Sequence, residues 1–299
     1  MHEARRGTGD PTYPGAMSEF GQWRPRLVAT DLDGTLLDPR GRVSDFTRDV
    51  FEGLWERGIE TLFVTARPPR WIDALTDAVG GHGYAICANG AFLYDVHARE
   101  VVDSHLLAMD LVRDLTDDLR ARIPGVGFAL EHARGMHLEQ EYGNVDRRWL
   151  PRDATFGPLR TCGVPGAGKL LARVPGSDVL EGPGSVRESP AGLAFIDRVR
   201  DLVADRAVVN YSGAAGLAEI GPPGVSKASA LARWCERRGI TADQVWAFGD
   251  MPNDIPMLLW AGRSFAVHGA PETVVDAATD VCGSNAEDGV ARALAGLLT

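Results

Sequence analysis

The chain has 299 residues, 44% hydrophobic and 24% charged, the balance of a globular protein long enough for two domains. A formal net charge of −10 excludes the broad basic face that binds nucleic acid through counterion release, so an anionic ligand has to be met by local cations. No apolar run approaches the ~20 residues that span a bilayer, and no membrane partner is expected. Four cysteines, Cys87, Cys162, Cys235 and Cys282, lie far apart without a CxxC pair, as buried thiols of a cytoplasmic protein do.

Residues 1–24 are rich in Gly, Pro, Arg and charge and lack an apolar h-region, which predicts a disordered leader rather than a signal peptide, with Met17 as an alternative start. From Leu27 to Thr30 an apolar strand runs into Asp31-Leu32-Asp33-Gly34-Thr35. Positions i and i+2 of a strand share a face, so Asp31 and Asp33 can converge at the carboxyl edge of a sheet, where open α/β folds place ligands. Two carboxylates so placed suit a nucleophile and its proton-transfer partner. Gly34 can turn the chain and bring backbone N–H groups close to an anion, although Asp, Gly and Thr are also ordinary turn residues.

Ser44 is the expected N-cap of a helix through Arg57, and Thr61–Thr65 is the next buried strand, ending in a hydroxyl. Arg67 reads equally as a surface ion pair or a substrate contact. Tyr84–Ala91 is another strand-to-turn element, in which Asn89 either helps fix a catalytic loop or is a turn Asn before Gly. The pattern then changes. Helical runs at 109–122 and 193–205 and strand-like runs at 126–131, 136–140 and 170–174 predict an α+β insert over 92–211. Pro, Gly and Ser clusters at 151–168 and 175–190 predict loops within it. Its polar residues His132, Arg134, His137, Glu139 and Arg147 are the candidates for recognising a leaving group.

Strand–helix alternation resumes in the last segment, 212–299, so that with 25–91 it predicts one α/β unit, a doubly wound parallel sheet interrupted by the insert. Gly224-Val225-Ser226-Lys227 opens a helix with a cation. Trp246–Gly249 is a third apolar strand, delivering Asp250, Asn253 and Asp254, the last also a preferred helix cap. Hard oxygen ligands on short loops beside a phosphate are what Mg²⁺ uses.

Taken in order, Asp31–Leu37, Thr65 with its strand, Gly224–Lys227 and Gly249–Leu258 resemble the four motifs of the haloacid dehalogenase superfamily, specifically its Cof-type phosphatases. The likeness to mannosyl-3-phosphoglycerate phosphatase-like hydrolases belongs to the same group. The resemblance implies a Rossmann-like core, a C2-type cap at 92–211, and an Mg²⁺-dependent phosphomonoesterase working through an aspartyl phosphate. It further implies Asp31 as nucleophile and Asp33 as acid and base. Mg²⁺ would be held by Asp31, the Asp33 carbonyl and Asp250, with Asp254 direct or through water. Gly34, Thr65, Lys227 and Asn253 would bind phosphate. The implied substrate is a small phosphomonoester, by default a sugar phosphate, handled by a monomer or homodimer. A carboxylate at Asp33 separates phosphoryl transfer from dehalogenation, and the missing membrane span sets aside the ion pumps. One departure stands out: Gly269 occupies the place where the family carries Asn, so a hydrogen bond near the fourth motif is either absent or supplied by His268. A phosphomutase with the same aspartyl chemistry, or a noncatalytic phospholigand sensor, are the alternative readings.

Overall fold

The structure, a computed structural model, describes residues 24–73, 75, 83–143, 150–151, 154–174, 190–211 and 216–299. Residues 1–23 of the expected leader, 175–189 of the loop expected over 175–190, and Arg147 lie outside the described residues. The first segment forms β1 (Leu27–Thr30), α1 (Asp45–Glu56), β2 (Glu60–Val64), β3 (Tyr84–Cys87), β4 (Phe92–Asp95) and β5 (Glu100–Ser104). The middle segment forms β6 (Leu107–Ala108), α2 (Met109–Arg122), β7 (Gly127–His132), β8 (Gly135–Leu138) and β9 (Thr155–Phe156). It continues through β10 (Gly166–Ala167), β11 (Lys169–Arg173), α3 (Pro190–Val203), β12 (Val208–Asn210) and β13 (Ala218–Gly221). The last forms α4 (Lys227–Arg238), β14 (Val245–Gly249), α5 (Ile255–Trp260), β15 (Arg263–Val267), α6 (Glu272–Val275), β16 (Asp280–Cys282) and α7 (Gly289–Ala295).

The larger sheet has the order β16-β15-β14-β1-β2-β3-β4-β5. Its first six strands are parallel, and β4 and β5 extend it as antiparallel strands. Parallel strands are covered on both faces, which is why β1, β2 and β14 read as near-continuous apolar runs. Alternation along β1 assigns the layers: Val28 packs with Val50, Phe51 and Leu54 of α1 and with Val290 and Leu294 of α7. Leu27 and Ala29 pack on the opposite side with Leu231 and Trp234 of α4 and Met257 and Leu258 of α5. Because β1 lies between β2 and β14, the chain leaves it in opposite directions, and the crevice at its carboxyl end is the switch point of the fold.

Helix ends are fixed by side chains. Ser44 Oγ accepts from the Thr47 amide at 3.0 Å, and a Ser226–Ser229 capping box opens α4, which Gly239 closes in the left-handed conformation.

A second sheet, β12-β13-β11-β7-β8-β9, carries α2 and α3 on one face through Phe128, Leu130, Leu170 and Ile220. Sheet membership differs from the expected segment boundaries at both ends. Phe92 and Tyr94, expected in the insert, alternate inward to the main core from β4, while β13, expected to return to the larger sheet, pairs with β11 and β12 instead. The helix expected from 193 begins at Pro190, which suits the first helical turn because it lacks a donor there. The 151–168 stretch, expected as loop, contributes the two-residue strands β9 and β10. Among the described residues no helix is long and apolar enough to cross a membrane.

Candidate active site

The carboxyl edge of the larger sheet gathers the four segments. Asp31 follows β1 directly, its amide still bonded to the Phe248 carbonyl of β14 at 3.0 Å. Thr65 follows β2, Asn89 sits in the turn after β3, Asp250 follows β14, and Lys227 is the first residue of α4.

At the centre is a buried ammonium between two buried carboxylates: Lys227 Nζ donates to Asp31 Oδ1 at 2.6 Å and to Asp254 Oδ1 at 2.7 Å. Exposure is 2% for Lys227, 5% for Asp31 and 0% for Asp254. Asp254 does not act as a simple helix cap. Its Oδ2 accepts from the amides of Asp250 and Met251 at 3.2 and 3.0 Å, so both oxygens are engaged and the Asp250 loop is wrapped around them. Asp250 is oriented by the Thr35 hydroxyl, which donates to its Oδ1 at 2.7 Å.

Asp31, Asp250 and Asp254 each place a carboxylate oxygen within 4.8 Å of the others. Three acids therefore share one ammonium, and the site carries excess negative charge. Burial, reinforced by the neighbouring Asp254, Asp250 and Asp33, drives the Asp31 carboxyl upward even though Lys227 pulls it down. Burial also pushes Asp250 up to about 6, with Thr35 opposing and Asp254 adding to the rise. Lys227 is raised because Asp254 and Asp31 outweigh the cost of burying its charge. Such a cluster is able to hold a cation. Oδ2 of Asp31 and Oδ2 of Asp250 have no partner among the described residues, and this hard-oxygen donor pair fits Mg²⁺.

Asp33 is turned outward, its side chain 54% exposed, and the Arg67 guanidinium holds it bidentately through Nε at 2.7 Å and Nη2 at 2.6 Å. Of the two readings of Arg67, the structure shows the ion pair. Thr65 is buried and its hydroxyl accepts from the Arg67 amide at 3.0 Å, leaving its own proton to donate.

Gly34 has φ +81°, and a Cβ there would lie 2.2 Å from Asp250 Oδ2. Both the backbone and the close approach require glycine. Gly34→Ala is expected to displace Asp250 and lower phosphoester turnover by about 10²-fold, the scale of a misplacement near 1 Å. Kinetics beside a circular dichroism spectrum checks this; unchanged turnover would mean that the Gly34–Asp250 approach is not needed.

Asn253 lies in the Asp250 loop and donates through Nδ2 to Asn89 Oδ1 at 3.1 Å, while its own Oδ1 is buried without a partner. Gly269 sits at φ +95° with open space around it, as a turn glycine does, and the His268 amide is used by the Cys282 carbonyl.

Two of the polar residues singled out in the insert are engaged within it. His137 is occupied by Thr155 and the Gly157 carbonyl, and Glu139 by Arg120 and the Leu159 amide. Arg134 is exposed and His132 half-buried. Residues that sequence reasoning missed reach the site instead: Thr35, and from the insert Lys169 and Glu219, the latter accepting from Asn89 Nδ2 at 2.9 Å. Glu219 carried a signal, a lone charge in the otherwise apolar strand Ala218-Glu219-Ile220.

Known proteins resemble the chain over most of its length. A family model described as haloacid dehalogenase-like hydrolase matches residues 28–155 and 193–294. The chain is 29% identical over 283 residues to the pyridoxal phosphate phosphatase of Escherichia coli, covering 89% of this chain and 96% of that one. It is 26% identical over 271 residues to a 5-amino-6-(5-phospho-D-ribitylamino)uracil phosphatase of Bacillus subtilis, covering 90% and 94%. Among solved structures, a haloacid dehalogenase-like hydrolase from Bacteroides thetaiotaomicron superposes with a TM-score of 0.73 at 22% identity, covering 92% of this chain and 100% of that one.

Proposed function

The chain belongs to the haloacid dehalogenase-like hydrolase family, and on that premise we propose that it is an Mg²⁺-dependent phosphatase hydrolysing small phosphomonoesters through an aspartyl phosphate on Asp31. The observation that carries this reading is the Asp31 carboxylate, buried at the switch point of the sheet with one oxygen fixed by Lys227 and the other open.

In this reading an oxygen of Asp31 attacks phosphorus while the bond to the leaving alkoxide breaks, and Asp33 gives the alkoxide its proton. Asp33 then takes a proton from the water that attacks the aspartyl phosphate, releasing orthophosphate and restoring Asp31. The Arg67 pair holds Asp33 at the rim, and proton delivery requires that pair to loosen. The Thr65 hydroxyl, Lys227, the Asn253 amide and backbone N–H groups beside Gly34 hold the phosphoryl oxygens as charge redistributes. Asp31, Asp250 and the Asp33 carbonyl would hold the metal. Asp254, with both oxygens engaged, serves by orienting Lys227 and the Asp250 loop. When bound, Mg²⁺ supplies neutralising charge between the carboxylates and the phosphoryl group.

The second sheet and its helices act as a cap over this edge, admitting a small leaving group and excluding water. Sugar phosphates are the substrate class we favour. The relatives act, by their names, on pyridoxal phosphate and a phosphoribitylaminouracil, so both classes belong in a test. Four unpaired cysteines suit a cytoplasmic setting.

Phosphate release from a panel of sugar phosphates, pyridoxal phosphate and nucleotides, with Mg²⁺ or EDTA, is the direct experiment. Turnover present with Mg²⁺ and lost with EDTA is expected. Return of the phosphoryl group to a second substrate hydroxyl would indicate the mutase instead, and binding without release would indicate the sensor.

A further inference from the structure

We propose that Lys169 and Glu219, both on the second sheet, are positioning residues that set the Asn89–Asn253 amide pair and so couple the insert to the phosphoryl site. The inference rests on the reading of that site given above.

The chain of contacts is continuous. Lys169 Nζ donates to Glu219 Oε2 at 3.0 Å, and the same oxygen accepts from Asn89 Nδ2 at 2.9 Å. Asn89 Oδ1 then accepts from Asn253 Nδ2 at 3.1 Å. Lys169, Glu219 and Asn89 are all at most 5% exposed. With Nδ2 donating to Glu219, Asn89 turns its oxygen toward Asn253, which meets it with the Nδ2 donor, so the Glu219 contact orients both amides.

Asn89 is itself held firmly. It sits at φ 57° with its amide bonded to the Thr65 carbonyl, and a Cβ on the following Gly90 would lie 2.5 Å from the Ser226 carbonyl, one residue before Lys227. The turn therefore touches the segments that carry Thr65, Lys227 and Asp254, while its side chain answers to the insert. A second tie runs parallel: Arg70, from the turn after β2, forks onto Glu131, the register partner of Lys169 on β7. An ion pair between buried groups is weak evidence for stability, because desolvation offsets its Coulomb gain. Its connection to the amides gives it a use that stability alone does not.

Lys169→Met in the full chain is the test, with Lys169→Arg as the conservative control. Side-chain amide resonances of Asn253, assigned by loss in Asn253→Asp, are expected to shift in Lys169→Met and to keep their positions in Lys169→Arg. Binding of inorganic phosphate with Mg²⁺ is expected to weaken about 10-fold or more in Lys169→Met, the usual scale for an outer-shell partner. Hydrolysis of esters with small and large leaving groups is expected to fall by the same factor. Unmoved Asn253 resonances would overturn the coupling whether or not the protein proves to be a phosphatase. A loss confined to one leaving group would also overturn it, since Lys169 would then be touching substrate. If wild type releases no phosphate from any ester, the proposed function fails, and the amide resonances still decide the coupling.

Discussion

Asp31→Asn is expected to remove phosphoester turnover, by about 10⁴-fold or more, and at the same time to raise the melting temperature of the Mg²⁺-free protein by several degrees. The first effect follows from the loss of the attacking oxygen, since an amide neither bonds to phosphorus as a carboxylate does nor leaves as one. The second follows from charge. Without a metal, Asp31, Asp250 and Asp254 face the single ammonium of Lys227, and burial holds both Asp31 and Asp250 above their ordinary range. An acid with a raised folded-state value binds more protons folded than unfolded across that interval, so stability falls as pH rises through it. For Asp250 the window runs from 3.8 to about 6, and above it the penalty is complete. Asn at position 31 removes one of these charges at neutral pH and leaves Lys227 paired with Asp254. Thermal melts in EDTA check it: a wild type as stable as the variant would show that the buried charges are already balanced. Saturating Mg²⁺ should narrow the difference, because a ligand that binds the folded state stabilises it most where its carboxylates are intact.

The parts of the site legible in the sequence are those built by strand ends. Asp31, Thr65 and Asp250 each follow a run of buried apolar residues, and in a parallel sheet such runs end at one edge, so order along the chain becomes proximity in space. Lys227 was legible because Gly224-Val225-Ser226-Lys227 reads as the opening of a helix, and the structure begins that helix at Lys227. The contacts between edges were not legible. Nothing in the spacing of Asp33 and Arg67 says that a guanidinium will fork onto the carboxylate, since the pairing depends on the path of the turn after β2. Glu219 and Lys169 sit in apolar strands, and whether a charged residue there faces helices or the other domain is decided by strand pairing in the insert. The same pairing put β13 with β11 instead of the larger sheet, because a short apolar strand fits either environment by composition. The partners of two polar residues chosen in the insert were equally hidden: His137 and Glu139 bond to groups about 18–20 residues further along the chain and knit the insert together.

Lys227→Met is expected to act with the opposite sign on stability and the same sign on activity. Methionine fills the volume but removes the only cation among the described residues that is bonded to Asp31 and Asp254, leaving two buried carboxylates to repel each other. Removing one partner of a buried ion pair costs about 3–5 kcal/mol, and turnover should fall by about 10³-fold as one electrostatic contact on the transferring phosphoryl group is lost. The two substitutions together separate these causes. In Asp31→Asn/Lys227→Met one negative charge leaves with the positive one, so the double variant should recover much of the stability lost in Lys227→Met, a coupling of about 1–3 kcal/mol between residues in direct contact. It should recover none of the activity. Additive melting shifts would mean that Lys227 and Asp31 do not interact in solution as their 2.6 Å contact requires. Recovery of stability without turnover would show that the fold tolerates loss of the Asp31–Lys227 pair, and that the charge on Asp31 is kept for chemistry at a cost in stability that Lys227 only partly offsets.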